Sequence, residues 1–248
     1  MRYFIGNWKM FGVPKSIGIL NKINNFVQKD KKRQKYKVIV APPFTLLDSF
    51  SKYSNNKPVS ISSQNCYLKD GYSSNTGAIS AFMIKALKTK YVIVGHSDNR
   101  KEGDSNLILK NKVIHALKNN LKVIFCIGEN NKQKSANQTF SVLKKQLYES
   151  LSSKFNANNI IVAYEPIWSI GTGKIPQDNE LIKTINYVKK ILYSIFKTRK
   201  TIPVLYGGSV DSRSIKLFKD INEIDGFLIG GASKSSKNFI DIIKNYYR

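Results

Sequence analysis

Short, nearly continuous apolar runs recur along the chain at Phe4–Ile5, Val38–Ala41, Val59–Ile61, Tyr91–Val94, Val123–Ile127, Ile160–Ala163, Val204–Tyr206 and Phe227–Ile229. Most do not alternate apolar with polar, which is how a strand reads when both its faces are buried in a parallel sheet. The stretches between them carry helical spacing instead. Ile19, Ile23 and Phe26 share one face, as do Leu109, Val113 and Leu117. Phe140, Leu143, Leu147 and Leu151 form a third stripe, and Ile182, Ile185, Val188 and Leu192 a fourth. Asp178 or Asn179 is the expected cap of that last helix, with Pro176 just ahead of it. Eight strands spread over the chain leave about 31 residues per unit, near the minimum for a β-crossover-β unit. Parallel strands with helical crossovers form either an open doubly wound sheet or a closed barrel. Eight repeats, with no linker rich in Gly, Pro or Ser, favour an α/β fold: one (β/α)8 barrel domain over residues 1–248.

In such a barrel the active site forms where the strands end and the following loops begin. Strand 1 delivers Asn7, Trp8 and Lys9; strand 4 delivers Gly95, His96 and Ser97; strand 5 delivers Gly128 and Glu129. Strand 6 delivers Glu165, then Pro166-Ile167-Trp168 and Gly171-Thr172-Gly173. Strands 7 and 8 end in Gly207-Gly208-Ser209 and Gly230-Gly231. The last two are the places where barrels frequently bind phosphate, because bare backbone amides close on its oxygens. Each residue alone has a plain structural explanation: an ion pair for Glu165 or Lys9, a turn for a glycine pair. It is their joint occurrence at registered strand ends that points to chemistry. A carboxylate base beside a hydrogen-bond donor and a cation suits proton abstraction next to a carbonyl. The expected chemistry is isomerisation or aldol-type reaction on a small phosphorylated carbonyl compound.

Charge and cysteine content trim the alternatives. GTGK at 171–174 lacks Walker spacing and a Ser or Thr after its Lys, so it is not a nucleotide loop. His96 lacks a second histidine suited to share a metal, and Cys66 and Cys126 do not cluster with it; His115, inside a helix, reads as structural. A metal at His96 is therefore not expected. The two cysteines have no paired spacing, and neither a signal-peptide core nor a membrane-length apolar run is seen, so a cytoplasmic location is expected. The 41 Lys and Arg against 16 Asp and Glu give a net charge of +25, which would attract nucleic acid. They are spread along the whole sequence, however, and the one dense run, KDKKRQKYK at 29–37, reads as a solvated helix end or loop. Neither nucleic acid nor membrane is therefore an expected partner.

At these same strand ends the sequence closely resembles the triosephosphate isomerases. NWKM (7–10), GHS (95–97), CIGE (126–129), AYEPIWSIGTGK (163–174), YGGSV (206–210) and DGFLIGGAS (225–233) stand in order from the first strand to the last. The resemblance implies a TIM barrel with Glu165 as the proton acceptor, His96 as a neutral electrophile and Lys9 as the positive charge. Substrate-binding residues would be Asn7, Lys9, Gly171, Ser209, Gly230 and Gly231. Ser97, Asp98, Glu129, Pro166, Ile167, Trp168, Ile170 and Tyr206 would form or support a lid over residues 166–176. Trp168 would pair with Glu129 when the lid is open, and with Tyr206 and Ser209 when it is closed. The polar segment 64–80 would dock into a second copy, making a homodimer with Phe11, Thr76, Gly77 and Ala78 at the interface.

Four departures from the family's pattern bear on these implications. Asp98-Asn99-Arg100 replaces the usual Glu-Arg-Arg, and Ala78 replaces the usual Glu. The Glu and the first Arg would pair between subunits, and both are missing here, so neither charge is left stranded. Phe11 replaces a common Asn, which implies a dimer packed differently around Phe11 and Thr76. Asp98, one methylene shorter than Glu, puts its contact with Lys9 in question. Ile175-Pro176 replaces a common Thr-Ala or Ser-Ala, and Pro fixes φ at the lid's far hinge.

Overall fold

The computed structural model describes residues 1–198 and 200–248. Eight parallel strands close into a barrel in sequence order, with β8 pairing back onto β1. The strands are β1 (Arg2–Asn7), β2 (Tyr36–Ala41), β3 (Ser60–Ser63), β4 (Tyr91–Val94), β5 (Lys122–Ile127), β6 (Ile160–Tyr164), β7 (Val204–Tyr206) and β8 (Gly226–Ile229). Around them run α1 (Ile17–Lys29), α2 (Phe44–Ser54), α3 (Ala81–Ala86), α4 (Ser97–Lys101), α5 (Asn106–Lys118), α6 (Asn131–Ser135), α7 (Thr139–Ser150), α8 (Asp178–Phe196) and α9 (Ser236–Tyr247). All eight apolar runs lie on strands, except that Val59 falls one residue before β3.

The strands read as continuously apolar because they have two cores to satisfy. Ile5, Ile39, Ile93, Ile124, Ala163 and Leu228 fill the barrel interior, where a separate buried cluster forms. Their neighbours Phe4, Val38, Val92, Phe125, Val162 and Phe227 point outward under the helices. The helical stripes supply the outer partners: Leu109 and Val113 on α5, Leu143 and Leu147 on α7, and Ile185, Val188 and Leu192 on α8 are buried.

On α1 the expected stripe is one residue out of phase. Leu20, Ile23 and Val27 are buried, while Ile19 and Phe26 flank them. A stripe of this kind is broad enough that three apolar residues do not fix its centre. The start of α8 also differs from expectation. Gln177 is the N-cap and makes no side-chain cap bond, while Asp178 opens the helix itself. Its carboxylate therefore acts as first-turn charge on the helix's positive end instead of as a cap.

Candidate active site

Each strand end sets its residues by a different local device. Asn7 closes β1, and its Oδ1 accepts the Lys9 amide at 3.1 Å. That bond helps hold Lys9 at φ +54, a left-handed conformation that side-chain-bearing residues rarely adopt. Gln64, the first residue after β3, completes the clamp. Its Nε2 donates to the Lys9 carbonyl at 3.0 Å and to the Ala41 carbonyl at 2.8 Å. Trp8, between the two site residues, turns the other way and is fully buried against Phe50 and Phe11.

His96 is the N-cap of α4. Its Nδ1 accepts the Asp98 amide at 3.1 Å, which makes Nε2 the nitrogen that carries hydrogen. Nε2 lies 3.2 Å from Glu165 Oε1, and both side chains are buried. The Lys9 ammonium reaches Asp98 Oδ2 at 3.1 Å, so the shorter acid does make the contact that its length put in question. Behind this group the Arg100 guanidinium donates to the carbonyls of Gly95 and Cys126 at 2.8 and 2.9 Å, tying the ends of β4 and β5 together. Cys126 lies inside the barrel under Glu165. Burial, reinforced by that carboxylate, pushes its thiol well above the ordinary cysteine range, so it stays protonated.

Two glycines are there because a side chain would collide. A Cβ on Gly128 would overlap the Glu165 carbonyl, and one on Gly207 would fall 2.7 Å from Glu165 Cγ. The Glu165 backbone and side chain therefore pass through space that only glycine leaves open.

The lid begins as a short 3-10 turn, Ile167–Ser169. Trp168 Nε1 donates to Glu129 Oε1 at 2.8 Å, and the Tyr164 hydroxyl donates to the same oxygen at 3.2 Å. Burial raises the Glu129 pKa, opposed by those two donors. Trp168 thus stands on the partner expected of the open lid. In this conformation Tyr206 and Ser209 hold other lid atoms: Tyr206 bonds Ser169 Oγ at 3.0 Å, and Ser209 Oγ takes the Gly173 amide at 3.1 Å.

A cavity of about 360 Å³ opens among these groups. Asn7, Lys9, His96, Glu165, Ile170, Gly171, Ser209, Gly230 and Gly231 line it, so the residues expected to bind substrate converge on one space. The Ser209 amide already has a partner in Ser169 Oγ at 3.3 Å. Ser97, Asp98, Glu129, Pro166, Ile167, Trp168 and Tyr206 lie outside its wall. Asp211 lines it unexpectedly; the amides of Ser214 and then Arg213 hold its carboxylate below the usual range. Among the described residues, no three His, Cys, Asp or Glu gather as around a metal ion.

Segment 64–80 leaves the barrel as an ordered loop. The Tyr67 amide donates to the Ile79 carbonyl at 2.8 Å, and Asp70 accepts from Asn119 at 2.9 Å. Thr76 and Gly77 are exposed at its tip, with Ala78 half-buried beside them. Phe11 meets Trp8 edge-on, with Lys234 Nζ 5.5 Å from the Phe11 ring centre.

Comparison with known proteins agrees along the whole chain. The family model described as triosephosphate isomerase matches residues 2–246. A triosephosphate isomerase of Alkaliphilus oremlandii is 36% identical over 245 residues, covering 96% of each chain. One of Cytophaga hutchinsonii is 37% identical over 247 residues, covering 97% of each. The crystal structure of triosephosphate isomerase from Bartonella henselae superposes with a TM-score of 0.90 at 31% identity, covering 100% of this chain and 99% of that one.

Proposed function

The chain belongs to the triosephosphate isomerase family, and we propose that Glu165, His96 and Lys9 interconvert dihydroxyacetone phosphate and D-glyceraldehyde 3-phosphate in its barrel mouth. Glu165 removes a proton from one carbon, and the C–H electron pair becomes the double bond of an enediolate. His96 Nε2–H faces the oxygen that gains charge, and the Lys9 ammonium adds positive potential beside it. A carboxylate base with a neutral imidazole is the family's established arrangement. The proton then returns to the neighbouring carbon. Asn7 and the backbone at Gly171, Ser209, Gly230 and Gly231 grip the substrate away from the reacting carbons, and the lid over 166–176 keeps water out. The step serves glycolysis and gluconeogenesis, draws on no metal or organic cofactor, and is placed in the cytoplasm. No helix among the described residues is long and apolar enough to cross a membrane.

The observation that carries this reading is the 3.2 Å approach of His96 Nε2 to Glu165 in the cavity that Lys9 also lines. An assay coupling glyceraldehyde 3-phosphate formation to a reporter dehydrogenase tests it. Conversion no faster than the buffer blank overturns it.

Asp98 supports Lys9 from an accessible position, its side chain 60% exposed. Exposed pairs contribute about 0.2–1 kcal/mol, so Asp98→Asn is expected to slow turnover by no more than about 5-fold. Steady-state rates on the purified variant check this; a hundred-fold loss, on the order of 3 kcal/mol, would assign Asp98 a direct part in the chemistry.

A homodimer through loop 64–80 is part of the proposal. Met10, Phe11 and Val13 on the loop after β1, Tyr72 in loop 64–80 and Phe82 just after it are exposed large apolar side chains. A second copy gives them a partner. Sedimentation equilibrium is expected to show twice the chain mass, and a catalytically competent monomer would contradict the dimer.

A further inference from the structure

Parallel strands decide where each connection lies. Every helix-to-strand connection enters at the strands' N-terminal end, opposite the mouth that holds Glu165. Lysines that look dispersed along the sequence are therefore gathered by the topology. None of the five connections into β3, β4, β5, β6 and β7 contains an Asp or Glu. Lys57, Lys90, Lys154 and Lys200 stand exposed on four of them, and the basic run 29–37, which includes Asp30, spans the connection into β2.

The centre of this face is also cationic. Ile39 and Ile124 point into the barrel, and strand alternation puts Lys37 and Lys122, two residues earlier, on the same inner side. Lys37 Nζ lies 6.0 Å from the ring centre of Tyr3. Among the described residues, no carboxylate pairs with Lys37, Lys122 or Lys200. Burial, and then Lys37 and Lys200, pull the Lys122 pKa down, as expected of ammonium groups crowded without a counter-ion. The nearby acids are already engaged: Asp30 accepts the Tyr36 hydroxyl, and Asp225 pairs with Lys189. Asp220 and Glu223 stand on the same face, on the connection into β8, which is the acidic exception to the other connections.

We propose that this N-terminal face of the barrel binds the phosphodiester backbone of nucleic acid. A broad field of unpaired lysines neutralises phosphates and releases their counter-ions without reading bases. A membrane surface fits less well, because none of the large exposed apolar side chains stands on those five connections to insert into it. Dispersion along the sequence, which argued against such a partner, is not dispersion in space.

The test is fluorescence anisotropy of a labelled mixed-sequence DNA duplex with the full chain across a salt series. The variant K37Q/K122Q/K200Q is compared with K144Q/K145Q/K190Q, which removes equal charge from the flanks of α7 and α8. Binding by the unaltered chain is expected to weaken steeply with salt. The first variant should bind about 10-fold or more weakly, with a salt slope lower by about 3 units, roughly one per lysine. The flank variant should stay within about 2-fold, and both should keep isomerase turnover, showing that they are folded. Equal weakening by the two variants overturns the proposal by making net charge the cause. It is also overturned if the duplex does not bind at low salt, or if phosphatidylserine vesicles bind and the duplex does not. Inhibition of turnover by the duplex in competition with triose phosphate would place binding at the catalytic mouth, and would overturn it too.

Discussion

Glu165→Gln is expected to lower kcat by about 10²–10⁴-fold, the usual contribution of a positioned general base, while the folded structure survives. The side chain is buried beside His96, and glutamine has nearly the same shape. Its amide oxygen can still accept from His96 Nε2–H, so that buried donor keeps its partner. What is lost is an oxygen basic enough to take a proton from carbon. Glu165→Asp tests the other half of the argument. The base is kept but withdrawn by one methylene, and a misplacement of about 1 Å can cost on the order of 10²-fold. Steady-state kinetics together with thermal unfolding separate the outcomes. A glutamine variant within about tenfold of the unaltered rate, well short of a general base's contribution, would remove Glu165 from the role of base.

Gly128→Ala should damage stability and rate together. The new Cβ meets the Glu165 carbonyl just past β6, which is backbone and cannot rotate away. Gly128 cannot retreat either, because the Gln146 side chain bonds both its amide and its carbonyl, at 2.9 and 3.0 Å. Glu165 is likewise held, its amide donating to the Ile127 carbonyl at 2.7 Å. Overpacking of this kind costs about 1–3 kcal/mol or more, which in a chain of this size lowers Tm by roughly 2–4 °C per kcal/mol. Relief of the clash must move Glu165, so kcat is expected to fall on the order of 10²-fold as well. Calorimetry and kinetics on one preparation check both, and a variant unchanged in either would show that β5 and β6 part freely.

The barrel was legible because each strand must satisfy two cores, and the resulting apolar runs repeat eight times. The strand-end residues were legible because glycine, histidine and glutamate interrupt those runs at the same register. Gln64 and Arg100 were not, since they act on backbone carbonyls and no pattern of neighbouring residue types marks such a task. The phase of α1 and the cap of α8 depended on packing and backbone geometry that a few periodic residues leave open. The charge was visible as a total, but its sidedness emerged only when parallel topology sorted one set of connections to one end.

Gln64 has a consequence for how rates depend on protein concentration. It is the root of loop 64–80, and through the Lys9 carbonyl it also holds the strained turn that presents the ammonium. Any force on that loop is therefore transmitted to the Lys9 ammonium. With the proposed dimer, specific activity per chain becomes a property of the solution as well as of the fold, declining on dilution before any helix melts.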